Sequence, residues 1–409
     1  MVYHKLFLWL FLLDLTINPI LAFFDIGLAM DFRSNYFARF FYIIALIIAS
    51  LYLINVTKKI PNCFINKLFS IALVVGSLNG IYNNTIINLT QSGNPAFLSH
   101  TFYLLMPIVM TSYGYYFFKD FDSSIKLKKI LKNIIYISFY IGIVIAILFS
   151  IVYRSGLSDY DAIGIWNFFY SSPYLLYQKW GQFLFLVSIL STIVLGKRAL
   201  LVVSFFYLLT RLFLFKLNKK LVYFIFLIAL FSSLILFFKG SLIQGFTRFA
   251  SVIDISKEVN LEIFDLATAG RVSEVQSAIE YLSTSFKNII FGAGFGAQYY
   301  PWPNKVDYEN YISHYTHFSF VSYFFVAGIW FPISLISYFI YLIKNLIQKT
   351  KENIIPTEYS YFLFWLIGIF VISLFGAVLM NNSFLWFIIG SCIFINQKYT
   401  KRKNRLLNL

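Results

Sequence analysis

Residues 37–56 read FARFFYIIALIIASLYLINV, an apolar run with one charged side chain, Arg39. As an α-helix, such a run extends about 30 Å, the thickness of the hydrocarbon core of a bilayer. Other apolar segments occur at residues 5–24, 68–82, 99–118, 134–153, 180–196, 199–215, 221–238, 316–343, 361–378 and 383–395. The sequence therefore predicts an all-α polytopic membrane protein.

The composition supports this fold class. Of the 409 residues, 59% are hydrophobic and 12% are charged, and the mean hydropathy is +0.75. A soluble domain carries about 25% charged residues, so too few polar side chains remain to cover a surface that faces water. No linker rich in Pro, Gly or Ser divides the chain, which predicts one transmembrane domain over residues 1–409. Residues 5–24 are predicted to be the first span, because this run is longer than a signal-peptide core.

The formal net charge of +16 does not indicate a nucleic-acid partner, because Lys and Arg cluster in short segments between the apolar runs. Such clusters orient membrane proteins by remaining in the cytoplasm. The two cysteines, Cys63 and Cys392, lack the spacing of metal ligands. We expect no disulfide, no metal site and no cofactor.

The positive-inside rule places the basic clusters in the cytoplasm, so an even number of spans must separate each cluster from the next. The clusters are Lys58/Lys59/Lys67, Lys126/Lys128/Lys129/Lys132, Lys216/Lys219/Lys220, Lys344/Lys349/Lys351 and Lys398/Lys401/Arg402/Lys403/Arg405. An odd number of clear spans lies between Lys132 and Lys216, and the number becomes even if residues 162–178 also cross. This gives about twelve spans with cytoplasmic termini. Lys197 and Arg198 are then periplasmic; the alternative is that they form an ordinary cytoplasmic anchor.

Residues 239–313 form the longest polar stretch and are predicted to be one large periplasmic loop. Loops of this length are usually functional. Apolar residues at spacings of three and four predict an amphipathic helix within it, with an apolar stripe of Val272, Val275, Ile279, Leu282 and Phe286. Arg271 and Glu274 lie near the start of this helix, where the helix dipole and an adjacent Arg favour an anion. The alternative is an exposed Arg–Glu pair on a solvated face.

The end of the loop combines glycines, aromatic residues and histidines. Gly292, Gly294 and Gly296 predict a flexible turn, since no Lys-Ser/Thr follows as in a nucleotide-binding loop. The aromatic residues are typical of a membrane-interface belt, with stacking on sugar rings as the functional alternative; they are Tyr299, Tyr300, Trp302, Tyr308, Tyr311 and Tyr315. His314 and His317 lack a third ligand at a fixed offset, which favours acid–base or hydrogen-bonding chemistry over metal binding.

Two stretches of this region resemble the signature of the O-antigen polymerase and O-antigen ligase superfamily. They are GRVSEVQSAIEYLSTSFKNIIFGAGFG (270–296) and HFSFVSYFFVAGIWFP (317–332). The family pattern is an Arg that opens an amphipathic helix, a Gly-x-Gly turn, a His that opens a span and a Gly about three turns later. Arg271, Gly292/Gly294, His317 and Gly328 match these places, and Arg198 matches a family Arg at the outer end of a mid-chain span.

The resemblance implies a glycosyltransferase of the bacterial inner membrane with its active site facing the periplasm. Members transfer a glycan from undecaprenyl pyrophosphate to a sugar hydroxyl, and we expect this reaction to be metal-independent. Arg198 and Arg271, with Lys197, would bind the pyrophosphate, whose developing charge suits the permanently charged guanidinium. His317 would act on the acceptor hydroxyl with Glu274 as a second candidate. His314, Tyr299, Tyr300 and Trp302 would bind the glycan.

The resemblance favours a polymerase of lipid-linked repeat units. Ligase relatives often carry Ser before the mid-chain Arg and Asn after the His, where this chain has Lys197 and Phe318, and its 21% aromatic content is similar to that of divergent polymerases. The alternatives are an O-antigen ligase that uses lipid A core as acceptor, and a flippase of lipid-linked oligosaccharide. Asp14 is the only clear acidic residue in a confident span, which argues against a transporter. The expected partners are the lipid-linked oligosaccharide, membrane lipid and a chain-length regulator.

Overall fold

The computed structural model describes residues 1–27, 34–83, 96–152, 165–176, 181–194, 198–214, 271–301, 312–374, 376 and 378–407. The first helices are α1 (Val2–Gly27), α2 (Ser34–Tyr52), α3 (Phe64–Tyr82), α4 (Ala96–Ser123), α5 (Ile125–Val152), α6 (Ile165–Leu175), α7 (Gly181–Val194) and α8 (Arg198–Leu214). The later helices are α9 (Arg271–Ser283), α10 (Phe286–Phe291), α11 (Ser319–Ala327), α12 (Trp330–Lys351), α13 (Ser360–Ser373), α14 (Val378–Asn381) and α15 (Ser383–Leu407). A π-helical turn at Leu53–Thr57 follows α2, and a 3-10 turn at Thr357–Tyr359 precedes α13.

Among the residues that the structure describes, five segments are long and apolar enough to cross a membrane: Val2–Leu21, Arg39–Thr57, Phe64–Tyr82, Ile125–Leu148 and Trp330–Lys351. Shorter apolar helices cover Phe183–Thr192, Ala199–Arg211 and Ser360–Ser373. Within the described ranges there is no strand, and one isolated bridge joins Tyr299 and Ser313. The chain therefore belongs to the all-α membrane class, as predicted. The predicted span at 221–238 and much of the predicted loop at 239–313 lie outside the described residues.

The predicted span at residues 316–343 is divided into α11 and α12. Gly328 lies between the two helices with a φ of +91°, and a Cβ atom there would come within 1.8 Å of the Ile290 carbonyl oxygen. Glycine fits because it has no Cβ and adopts positive φ without strain. Hydropathy did not reveal this break because the residues on both sides of it are apolar.

Helices α4 and α15 form the most extensive helix pair in the described part of the chain. A Cβ atom on Gly114 would lie 2.0 Å from the Phe387 carbonyl oxygen, and one on Gly390 would lie 2.0 Å from the Thr111 carbonyl oxygen. Small residues allow this close approach between membrane helices, whose association depends on packing. Since α4 has 28 residues and extends about 42 Å, its ends mark the two ends of the bundle.

One end of the bundle carries the basic clusters, and we call it the basic end. Near the end of α4, Asp122 pairs with Lys398 of α15 and accepts a hydrogen bond of 2.7 Å from the Tyr359 hydroxyl. Lys128 near the start of α5 pairs with Glu358 at 3.1 Å. These contacts place the α4–α5 connection, the segment before α13 and the last turns of α15 side by side.

The N-terminus, the end of α2 and the end of α12 lie at the same end. His4 Nε2 is 2.9 Å from an Asp120 carboxylate oxygen, and the Tyr52 hydroxyl donates to that oxygen at 3.3 Å. Lys349 at the end of α12 donates to the Asn396 carbonyl oxygen at 2.8 Å. The basic clusters within the described ranges therefore gather at one end; the cluster Lys216/Lys219/Lys220 lies outside those ranges.

Helix α6 lies where residues 162–178 were predicted to cross, and it is shorter than that prediction. It has 11 residues and extends about 16 Å, roughly half of the hydrocarbon core. Its last turn points toward the basic end, because the rings of Tyr174 and Tyr361 lie 5.5 Å apart. Helix α8 ends in the same region, since Arg211 donates to the Leu176 carbonyl oxygen. Helix α8 therefore begins, at Arg198, on the side away from the basic end.

Candidate functional site

Three of the four histidines, His100, His314 and His317, lie at the end of the bundle opposite the basic end, and we call it the histidine end. His100 lies near the start of α4, and its Nε2 is 2.8 Å from the His314 carbonyl oxygen. His317 follows in the short segment that leads into α11. The predicted site residues of the described ranges cluster around these histidines.

Glu274 and His317, which are 43 positions apart in the chain, are in direct contact. One Glu274 carboxylate oxygen, Oε2, accepts the backbone N–H of His317 at 2.9 Å and lies 2.8 Å from His317 Nδ1. The Glu274 residue is 1% exposed, whereas the His317 side chain is 42% exposed. The carboxylate is therefore enclosed by protein while the imidazole faces outward.

This contact would select one tautomer of His317. An ionised carboxylate only accepts hydrogen bonds, so beside an ionised Glu274 the proton lies on Nδ1. In the neutral imidazole, Nε2 then has a free lone pair that can take a proton from a bound molecule. A buried carboxylate behind the imidazole also stabilises the imidazolium that forms. His317 could therefore act as a general base, with the Glu274 carboxylate holding its ring in place.

Helix α9 positions Glu274 through its buried face. The buried residues are Glu274, Ala278 and Leu282, which recur every four residues. The helix packs on α11 through the Tyr281 and Phe325 rings, 5.5 Å apart. The predicted helix is present; of its predicted apolar stripe, Leu282 is buried, whereas Ile279 is 45% exposed and Phe286 lies beyond the helix and is 77% exposed. The face toward the bundle therefore combines one residue of the stripe with a carboxylate and a small residue.

Arg271 is the first residue of α9 and lies one turn before Glu274. One turn of an α-helix advances about 5 Å, so the Arg271 backbone is close to the Glu274–His317 pair. The Arg271 side chain is half-buried. The geometry joins a permanent positive charge, a buried carboxylate and an outward-facing imidazole at the start of one helix.

Arg198 is the first residue of α8, and its side chain lies outside the described part of the structure, as does Lys197. Helices α8 and α13 run in opposite directions, and Tyr207 contacts Gly368 between them. From Tyr207, α8 extends about 14 Å toward Arg198, whereas α13 extends about 8 Å from Gly368 to its end. The Arg198 backbone therefore reaches past the end of α13, toward the level of Gly376. Gly376 in turn is hydrogen-bonded to the start of α11, where the Ser319 N–H donates to the Gly376 carbonyl oxygen at 3.2 Å.

The glycine turn at Gly292, Gly294 and Gly296 is closely packed against α3. Asn79 of α3 donates to the Gly292 carbonyl oxygen, and the Phe295 N–H donates to the Gly76 carbonyl oxygen at 3.0 Å. Gly294 has a φ of +87°, and a Cβ atom there would lie 2.4 Å from the Gly80 nitrogen. The glycines are needed because two backbones touch and because φ is positive. The turn thus attaches the segment after α9 to α3.

His100 is a member of this end that the sequence analysis missed. Its Nδ1 accepts the Gly296 N–H at 3.1 Å and its Nε2 donates to the His314 carbonyl, so both ring nitrogens join backbone segments. His100 is fully buried. The only available signal was a histidine in an apolar segment, because its partners are about two hundred positions away in the chain.

His314 lies beside this contact and is half-buried. Its Nε2 is 3.5 Å from the Tyr103 hydroxyl, and the two rings are stacked with centroids 6.2 Å apart. Burial, with the Arg39 guanidinium as the smaller cause, lowers the pKa of His314 to about 4. His314 is therefore neutral near pH 7, and the ring offers hydrogen bonds rather than charge.

The aromatic residues predicted to bind glycan differ in exposure. Tyr299 is 3% exposed, its ring packs 5.0 Å from that of Phe325, and its hydroxyl donates to the Tyr315 carbonyl at 3.0 Å. Tyr299 is therefore enclosed by protein in this structure, and its assignment to the glycan stays a prediction. Tyr300 is 53% exposed and retains an accessible ring. Trp302 lies outside the described residues.

Within the described ranges, no group of three or more His, Cys, Asp or Glu side chains is arranged to hold a metal ion. Cys63 and Cys392 are both buried as free thiols. Comparison of the chain with family models, curated proteins and solved structures gives no match.

Proposed function

We propose that the chain is a polysaccharide polymerase that transfers a growing glycan from undecaprenyl pyrophosphate to the sugar hydroxyl of another lipid-linked repeat unit. The observation that carries the proposal is the Glu274–His317 pair at the start of a helix that also carries Arg271. A base and a permanent cation are the two groups that this transfer requires.

The position of the pair supports a periplasmic reaction. The pair lies at the histidine end, opposite the basic clusters, and such clusters remain in the cytoplasm. The course of α6 and α8 also supports an even number of spans between Lys132 and Lys216. Helix α6 ends at the basic end, and α8 begins at Arg198 on the opposite side. We therefore propose about twelve spans, cytoplasmic termini and a periplasmic loop at residues 239–313 in the inner membrane.

In the proposed reaction, His317 Nε2 takes the proton of the acceptor hydroxyl. The hydroxyl oxygen forms a bond to the anomeric carbon of the donor glycan as the bond from that carbon to the pyrophosphate oxygen breaks. The electron pair leaves with undecaprenyl pyrophosphate, whose charge Arg271, Arg198 and Lys197 would stabilise. Glu274 holds the imidazole in the Nδ1–H tautomer and balances the imidazolium. His314 and Tyr300 would contact the sugars.

Ligase and flippase remain the rival functions. A ligase would use the same groups with lipid A core as acceptor. A flippase needs no base, so the outward-facing His317 with a carboxylate behind it favours a transferase. The proposed partners are lipid-linked oligosaccharide, membrane lipid and a chain-length regulator.

Deletion of the gene followed by gel analysis of lipopolysaccharide separates these functions. Loss of a polymerase leaves core plus a single repeat unit, and loss of a ligase leaves bare core with polymer held on the carrier. Loss of a flippase leaves bare core with single units on the cytoplasmic face. A normal ladder would rule out all three functions.

Complementation with Arg271→Ala and Arg271→Lys tests the pyrophosphate contact. A charge-assisted hydrogen bond contributes roughly 1.5–3 kcal/mol, so Arg271→Ala should slow polymerisation about tenfold to a hundredfold. Arg271→Lys should restore part of the rate, because it keeps the charge but loses the planar fork. A full ladder from Arg271→Ala at normal protein level would remove Arg271 from the proposed mechanism.

A further inference from the structure

Asp14 lies inside the first membrane-spanning helix and takes no part in the proposed transfer. It is 4% exposed and stands about 18 Å along α1 from Val2, close to the middle of a hydrocarbon core of about 30 Å. An ionised carboxylate at this depth is strongly unfavourable unless something neutralises it. The protein therefore needs a counter-charge at Asp14 or a proton on it.

The described side chains supply no counter-charge. The Asp14 carboxylate accepts a hydrogen bond from Asn18 Nδ2, one turn later on the same helix. Among the ion pairs of the described residues, none includes Asp14, and no Lys or Arg of these ranges interacts with it. A hydrogen bond from a neutral amide eases the burial of the charge but does not cancel it.

Buried polar side chains from neighbouring helices lie near this carboxyl group. The Tyr170 hydroxyl and the Tyr42 hydroxyl interact electrostatically with Asp14 from α6 and α2. Asn382, just before α15, lies near the Tyr170 hydroxyl without a hydrogen bond of ordinary geometry, and Ser383 is the next residue in the chain.

Four of these buried atoms have no hydrogen-bond partner among the described residues: Asn18 Oδ1, the Tyr170 hydroxyl, Asn382 Nδ2 and Ser383 Oγ. Tyr170, Asn382 and Ser383 are at most 2% exposed. Leaving a buried polar group without a partner costs about 1–3 kcal/mol, so several in one place indicate a small polar occupant. Aromatic rings pack against the two tyrosines: the Phe11 ring lies 4.9 Å from that of Tyr170, and the Phe384 ring lies 5.9 Å from that of Tyr42.

We propose that Asp14 is the centre of a binding site for one monovalent cation, either a proton or a sodium ion. A proton would convert Asp14 to the neutral acid, with water joining it to Tyr170 and Ser383. A sodium ion would keep Asp14 ionised and would be bound by oxygen atoms, which hard cations prefer. The available oxygens belong to the carboxylate, the Asn18 amide, Tyr170 and Ser383.

The site joins four helices, because its groups come from α1, α2, α6 and the start of α15. Occupancy of the site would therefore affect how these helices pack. It is independent of the proposed transferase reaction, and its test does not depend on polymer synthesis.

Labelling with dicyclohexylcarbodiimide tests the proposal in membranes that contain the full chain. A protonated carboxyl group adds to this apolar reagent: the acid proton goes to a carbodiimide nitrogen, and the carboxyl oxygen bonds to the central carbon. The adduct then rearranges to a stable N-acylurea that peptide mass spectrometry locates. We expect labelling at Asp14 near neutral pH, its loss in Asp14→Asn and its retention in Asp14→Glu. Asp120→Asn is the matched control, because that exposed carboxylate lies outside the site.

Competition identifies the cation. Loss of Asp14 labelling in sodium chloride, but not in choline chloride, would assign a sodium ion, and Asn18→Ala or Ser383→Ala should then weaken that protection. Labelling that responds to pH but not to sodium would assign a proton. Infrared difference spectra of wild type against Asp14→Asn provide a second readout through the carbonyl band of a protonated acid. No Asp14 labelling together with an ionised carboxylate band in sodium-free buffer would overturn the proposal.

Discussion

At the scale of single residues, the informative feature is the contrast between Glu274 and His317. The carboxylate is enclosed and makes two hydrogen bonds to one residue, whereas the imidazole it contacts is 42% exposed. A buried carboxylate is unfavourable without such partners. The chain keeps it at a place where it orients an exposed imidazole, and this is the arrangement expected of a site that handles protons.

Replacement of Glu274 by Gln tests this reading. Gln keeps the shape but places an amide next to His317, which removes the negative charge and disturbs the Nδ1–H tautomer. General-base catalysis contributes about a hundredfold or more, so we expect the rate of polymerisation to fall by about that factor. The measurement is polymer formed per unit time in membranes with matched protein levels.

Glu280→Gln is the matched control for this variant. Glu280 lies on the same helix, is exposed and accepts a hydrogen bond of 2.9 Å from Gln276. It should synthesise polymer at the wild-type rate. Equal rates for Glu274→Gln and Glu280→Gln would show that Glu274 has no part in the reaction.

His314 predicts a dependence of stability on acid. Its pKa is lowered to about 4 in the folded protein, from an ordinary value of about 6.5. The unfolded chain therefore binds a proton at a higher pH than the folded chain does. As the pH falls from about 6.5 toward 4, protonation of His314 favours the unfolded chain, so the free energy of unfolding decreases. The melting temperature of purified protein should fall over this window. The variant His314→Asn should show a smaller fall; an unchanged pH profile would contradict the prediction.

At the scale of elements, the glycine turn determines where α9 stands. The turn is attached to α3 through Asn79 and Gly76 and to α4 through His100. It also contacts α11, because the Ala293 N–H donates to the Phe325 carbonyl oxygen at 2.7 Å. The short segment from α9 to the turn is thus fixed to three other helices, and these contacts hold Glu274 near His317.

Gly294→Ala should disrupt this attachment. Its Cβ would lie 2.4 Å from the Gly80 nitrogen at a φ of +87°, a combination that requires backbone movement. Positive φ in a non-glycine residue costs of the order of 1–3 kcal/mol, so we expect a lower melting temperature and a weaker polymer ladder. Gly376→Ala is the control, because its nearest neighbour would be 3.4 Å away. If both variants melt at the same temperature, the turn does not need glycine at 294.

At the scale of the whole molecule, the two ends of the bundle differ in chemistry. The basic end collects lysines from the α4–α5 connection and from the ends of α12 and α15. The histidine end collects the Glu274–His317 pair, Arg271 and His314. Such a separation across a membrane protein determines which compartment each set of groups meets.

Accessibility of introduced cysteines tests this polarity. Ser283 is exposed at the end of α9 and Ser123 is exposed at the end of α4, while the native Cys63 and Cys392 are buried and give a low background. We expect Ser283→Cys to react with a membrane-impermeant maleimide in intact cells, and Ser123→Cys to react only after the membrane is opened. Labelling of both from the same side would refute the proposed topology and with it the periplasmic site.

The sequence by itself determined the class of the protein and several local features. Apolar runs long enough to cross a bilayer predict membrane helices, because hydropathy and length are properties of neighbouring residues. The same is true of the helix that begins at Arg271. These features need no knowledge of distant partners.

The tertiary structure alone decided which residues meet. His100 joins Gly296 and His314, Glu274 meets His317, and Asn79 holds the glycine turn, each across long stretches of chain. The break at Gly328 and the burial of Tyr299 likewise depend on contacts with distant residues. The physical reason is that packing between apolar helices depends on the shapes of facing surfaces, and a pattern of hydropathy along one chain does not specify which surfaces face each other.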